Sequence, residues 1–91
     1  DPSSLDGFIL HPNSPNPLNS VTSVCVALPE SGHVSLEVTD LLGRRVAVLH
    51  DGPLADGETC FEWQATVSSG VYFCRARYGD RLRATKMLVI K

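Results

Sequence analysis

The sequence lacks most of the patterns that would point to chemistry. No CxxC or HxxxH pair is present, and His11, His33 and His50 stand far apart with no Cys or carboxylate at ligand spacing, so no metal site is expected. There is no G-x-S-x-G, no P-loop and no G-x-G-x-x-G, which removes the sequence signals of hydrolase elbows, nucleotide phosphates and dinucleotides. Serines are plentiful, but nothing sets one beside a histidine and a carboxylate. No apolar run approaches the ~18 residues of a membrane span. The net charge is −2, with no basic surplus for nucleic acid. No segment reads as a helix: the longest candidate, Leu41 to Leu49, contains Gly43 and several β-favouring positions. The expectation is a chain that is not an enzyme, holds no cofactor or metal, takes no small-molecule substrate and no nucleic acid, and does not span a membrane.

What remains is small and regular. A chain of 91 residues allows one domain. Size scaling leaves roughly 5,200 Å² of surface exposed from an open chain of ~14,000 Å², enough for one thin core. The sequence begins at Asp1, so it reads as a processed chain or a module cut from a longer one. Short runs alternate with period two. Val24, Val26 and Leu28 alternate with smaller residues, as do Val34, Leu36 and Val38. Val46, Val48 and His50 follow, then Thr59, Phe61 and Trp63, then Tyr72, Cys74, Ala76 and Tyr78. β-branched and aromatic residues at this period read as strands. Met87 to Ile90 is continuously apolar, as in a strand covered on both sides.

Turn chemistry separates the runs. Pro29-Glu30-Ser31-Gly32 is read as closing a first hairpin. Asp40-Leu41-Leu42-Gly43 closes a second, with Asp40 bonding its own backbone and Gly43 supplying a left-handed residue. A two-residue loop at Gly79-Asp80 would set Ala76 opposite Arg83 and put arginine on the apolar face, so a three-residue loop or bulge is preferred. Strands at roughly ten-residue spacing argue for an antiparallel β-sandwich of six to seven strands over residues 21–91, Ig-like or fibronectin-like, with Trp63 as a core aromatic. Residues 1–20 differ. They hold four of the six prolines and form an extended segment with one apolar patch, Phe8-Ile9-Leu10, which should dock on its own domain or on a neighbour.

Strand parity points Cys25 and Cys60 outward and Cys74 inward. Cys74 should reach neither of the others. A Cys25–Cys60 bond needs their strands to be neighbours, which the pattern does not establish, so free thiols are favoured. Residues 1–62 carry nine acids and two bases, net −7, whereas residues 63–91 carry six bases and one acid, net +5. A solvated basic face explains this, as would complementary surfaces for docking.

Several motifs then fall in a recognisable order. Asn13-Ser14-Pro15-Asn16-Pro17-Leu18-Asn19 with Thr22 resembles the N-Y-P-N-P-F-N-P…T opening of the type IX secretion system C-terminal sorting domain (type A), which is related to the Ig-like domain of the flagellar hook-capping protein family. Val34 to Val46, with Asp40, Gly43 and Arg44, is similar to that family's V-x-L-x-V-Y-D-x-x-G-R-x-V hairpin. Gly57 with Trp63 resembles G-x-H-x-x-x-W, Ser69 to Phe73 (with Gly70 and Tyr72) matches S-G-V-Y-F, and Thr85 to Lys91 resembles the terminal strand. The chain departs from the pattern at Ser14, Leu18, Ser20, Thr39, Asp56 and Thr59. The resemblance implies a secreted, extracellular or outer-membrane-surface module at the C-terminus of proteins of Bacteroidota. The partners it implies belong to the secretion apparatus, which would read the last strand, Lys86, Met87, Leu88, Val89, Ile90 and Lys91. The alternative is a structural subunit of a filament or surface layer whose partners are other copies of itself, with Phe8, Ile9 and Leu10 as the inter-subunit strand. Where residues 5–12 pack separates the two: packing on their own chain removes the donated strand.

Overall fold

A computed structural model describes residues 6–91; the first five residues of the N-terminal segment lie outside it. The described residues form seven strands: β1 (Ile9–Leu10), β2 (Val21–Leu28), β3 (Gly32–Thr39), β4 (Arg45–Leu54), β5 (Gly57–Gln64), β6 (Gly70–Tyr78) and β7 (Arg81–Val89). They make two antiparallel sheets, ordered β1-β2-β5 and β4-β3-β6-β7, and the described residues include no helix. The sheets face each other over Val24, Val26, Val34, Leu36, Val38, Cys74, Ala76, Met87 and Val89. Trp63 is buried there and meets Tyr72 edge-on, with ring centroids 6.2 Å apart. The Tyr72 hydroxyl donates to the Ser68 carbonyl at 2.8 Å, the corner that Ig-like sandwiches place at the start of their sixth strand. The chain is an all-β, Ig-like sandwich.

Four readings need correction. First, Pro29 to Gly32 closes no hairpin: β2 and β3 lie in opposite sheets, so this turn carries the chain across the core. Turn residues encode a reversal, and a reversal serves a crossover as well as a hairpin. Gly32 fits this passage, since a Cβ there would sit 2.9 Å from the Tyr78 ring. Second, β4 is irregular against β3 at two places, Leu36/Glu37 and Val38/Thr39. Each shift changes which face a side chain takes. Ala47 and Leu49 therefore pack on the core, while Val46 and Val48 are exposed. Third, the loop at Gly79-Asp80 has two residues, pairing Tyr78 with Arg81 and Ala76 with Arg83. Gly79 takes φ +62, as a II′ turn requires of its first central residue. Arg83 does point inward, where Asp6 receives it. Fourth, β7 is an edge strand: Met87 and Val89 are buried, but Leu88 and Ile90 are exposed.

The boundary drawn at residue 20 does not divide the packing. Phe8 is wholly buried and Leu18 nearly so, both in the same core as the strands.

Candidate functional site

The candidate site is the C-terminal strand and what covers it. Of its six residues, Met87 and Val89 belong to the core, whereas Lys86, Leu88, Ile90 and Lys91 face outward. An edge strand exposes unpaired amides and carbonyls, which invite another strand. Here the chain's own opening motif covers them. The Asn16 side chain donates through Nδ2 to the Lys86 carbonyl at 3.2 Å and accepts the Leu88 amide through Oδ1 at 3.0 Å. Leu18 continues in parallel: its amide donates to the Leu88 carbonyl at 2.9 Å, and its carbonyl accepts the Ile90 amide at 2.8 Å. The prolines explain the division of labour. Pro15 and Pro17 have no amide to give a ladder, so the Asn16 carboxamide, one donor and one acceptor, takes the place of a peptide group. Both Ser14-Pro15 and Asn16-Pro17 are cis. Beyond the strand, the Lys91 amide donates to Ser69 Oγ at 2.8 Å and its ammonium donates to the Ala65 carbonyl.

The opening motif is anchored at its other end too. Asn13 is buried; its Nδ2 donates to Thr22 Oγ1 at 3.0 Å and to the Pro15 carbonyl at 3.2 Å. Thr22 donates in turn to Pro15 at 2.9 Å. The motif's asparagine and its distant threonine thus form one buried polar cluster.

Phe8, Ile9 and Leu10 pack on their own chain. Ile9 pairs with Ala27 and Leu10 with Val26, making β1 an edge of the smaller sheet. The strand expected for donation to a neighbour is spent within the molecule. Asp6, which no motif marked, explains the inward arginine: its Oδ2 meets Arg83 Nη2 at 2.6 Å and Arg81 Nη1 at 3.3 Å. The Arg83 guanidinium also lies 4.9 Å from the Phe8 ring centroid. The Phe8 amide and then the two arginines hold the Asp6 carboxyl below its ordinary pKa, against partial desolvation. A pairing across 77 residues leaves no local sequence signal.

The hairpin motif behaves as read. Asp40 Oδ1 accepts the amides of Leu42 and Arg44, each at 2.9 Å, and Oδ2 accepts Arg44 Nε at 2.9 Å. Desolvation works to raise the Asp40 pKa, but the Arg44 amide and guanidinium and the Leu42 amide outweigh it and hold the carboxyl below its ordinary value. Gly43 takes φ +81, which closes the turn. The turn lifts Leu41 and Leu42 into solvent and borders a shallow groove of about 250 Å³ that continues to Val71 on β6. Gly57 and Gly70 begin β5 and β6.

The cysteines correct the expectation of free thiols. β2 and β5 are neighbours, Cys25 lies opposite Cys60, and the two form a disulfide with Cα atoms 4.0 Å apart. Both had been placed outward, and a shared outward face is what allows the bond. Cys74 is buried and free, and burial pushes its thiol up to about 12. Glu58 lies near the two bonded sulfurs, but a disulfide offers no thiolate to a cation. The histidines do not converge: His11 faces Glu58 at 3.6 Å, His33 meets Asp51 at 2.8 Å, and His50 Nε2 donates to the Gly52 carbonyl at 3.1 Å. No helix among the described residues is long and apolar enough to cross a membrane.

No family model matches the chain, and no curated protein does. Among solved structures it is similar to dimeric latent PorU from Porphyromonas gingivalis, with a TM-score of 0.56 and 19% sequence identity. The match covers 91% of this chain and 9% of that one, so the chain corresponds to a small part of PorU, and at this identity the likeness is one of fold.

Proposed function

We propose that the chain is a non-catalytic sorting module of type IX secretion, recognised at its C-terminal strand for passage across the outer membrane and attachment at the cell surface. One observation carries this reading. The two ends of the motif series, Asn16-Pro17-Leu18 and Lys86 to Lys91, meet in space and bond to each other, 70 residues apart in sequence at Asn16 and Lys86. Their meeting brings the first and last motifs onto one element, the C-terminal strand, where the resemblance places recognition. The distant likeness in fold to PorU, a component of type IX secretion, points the same way. Strand donation into a filament draws no support, because Phe8 to Leu10 are already used within the chain.

The test is to fuse residues 1–91 to the C-terminus of a fluorescent reporter in a bacterium that carries the pathway. The fusion should leave the periplasm and reach the surface or medium. A fusion that folds, shown by its melting, yet stays in the periplasm would rule the reading out.

A further inference from the structure

Among the described residues the two most exposed large apolar side chains are neighbours, Leu41 at 68% and Leu42 at 77%. They sit on a turn whose backbone Asp40 fixes with three hydrogen bonds from Leu42 and Arg44. A backbone already fixed lowers the entropy lost on binding. The turn is not isolated. Val71 and Leu88 are register partners on the outer face of the four-stranded sheet, and the groove beside the turn reaches Val71. Leu41, Leu42, Val71 and Leu88 therefore form one apolar strip across the end of the sheet, finishing on the C-terminal strand.

The next register row is cationic and the one after it is neutral. Arg45, Thr39, Phe73 and Lys86 lie in line across the same face, followed by Glu37 and Arg75. Arg44, Arg45, Arg75 and Lys86 face two carboxylates, Asp40 and Glu37. Each carboxylate is already held by arginine: Asp40 by Arg44 at 2.9 Å, and Glu37 by Arg45 at 3.6 Å and Arg75 at 4.0 Å. The strip is thus backed by surplus positive charge, and its complement is apolar at the centre and acidic around it.

Resting on the sorting reading, we propose that the Asp40–Arg44 turn is a second docking element, and that its occupant is an acidic protein surface of the secretion apparatus. That surface would insert an apolar side chain into the groove between Leu41, Leu42 and Val71. The groove of about 250 Å³ beside the turn has room for one inserted side chain, which an acidic protein surface presents. The C-terminal strand supplies Leu88 to the same strip, so the two elements are read together.

The reporter fusion tests this with Leu41→Ser/Leu42→Ser and, separately, Arg45→Gln. Both leucines are solvent-exposed, so the melting temperature of the double variant should not move. Its export should fall roughly tenfold, as for loss of central interface anchors, and Arg45→Gln should lower export by a smaller factor. If the wild-type fusion is exported and the leucine variant is exported equally well, the docking element is overturned while the sorting reading stands. If the wild-type fusion is itself retained, both fall. The unfused chain is also mixed with phosphatidylglycerol vesicles. No co-sedimentation is expected, and co-sedimentation that depends on Leu41 and Leu42 would overturn a protein occupant in favour of lipid.

Discussion

Breaking the Cys25–Cys60 bond should lower stability by an amount set mainly in the unfolded chain. The bond joins residues 35 apart in sequence. Releasing a loop of that length returns about 4 kcal/mol of chain entropy to the unfolded state at 25 °C. Little native packing goes with it, because both cysteines point away from the core, on the outer face of the smaller sheet. A domain of this size unfolds with an entropy of about 0.19 kcal/mol/K, so the melting temperature should drop by about 20 °C. The assay is calorimetry of the oxidised protein, the reduced protein and Cys25→Ala/Cys60→Ala, with near-ultraviolet circular dichroism to show that all three remain folded. Thiol alkylation supplies the control. In denaturant one thiol, Cys74, should react before reduction, and all three should react after it. In the native oxidised protein none should react at pH 8, because Cys74 is buried and its pKa of about 12 leaves only about 10⁻⁴ as thiolate. Three reactive thiols before reduction would show that the pairing is wrong. One thiol together with a drop of less than about 5 °C would refute the loop-entropy account.

Other consequences are direct. Phe8→Ala empties a fully buried ring site and should cost about 3–5 kcal/mol by chemical denaturation, so removal of residues 1–12 should destabilise the fold and not leave it unchanged. Asn16→Ala removes both side-chain bonds to the terminal strand. It should cost about 1–2 kcal/mol and speed hydrogen exchange at the Leu88 amide, which no other group would then protect so well. Asp6 and Asp40 have lowered folded pKa values, so their contribution is complete above the unfolded carboxylate value of about 3.9 and is lost as pH falls through the folded values. Denaturant midpoints of wild type and Asp40→Asn should therefore differ at pH 7 and converge below about pH 4.

The strands were legible because a period of two survives any tertiary context that buries one face, and Val24 to Leu28, Val34 to Val38 and Tyr72 to Tyr78 keep it without interruption. The Asp40 turn was legible for a related reason: all its bonds close within five residues. What escaped was information held between distant segments. Pro29 to Gly32 marks a reversal, but whether β2 pairs with β3 or crosses to the other sheet depends on where β5 lies, and the Cys25–Cys60 bond depends on the same fact. On β4 the two register shifts changed the faces of Val46 to Leu49, and no residue type there announces a bulge. Arg83 is the clearest case. Parity on β7 shows that a two-residue loop sends arginine to the inner face, where an unpaired charge is forbidden. Asp6 lifts that prohibition, from the segment that its prolines mark as extended. The same segment supplies Asn16, which gives the C-terminal strand the hydrogen bonds that its neighbouring prolines cannot. The part of the chain with the weakest strand pattern thus completes both the core and the strand that the sorting reading needs. The proline-rich stretch beside the terminal strand is an edge cover, because Asn16 supplies the donor and acceptor that the prolines lack.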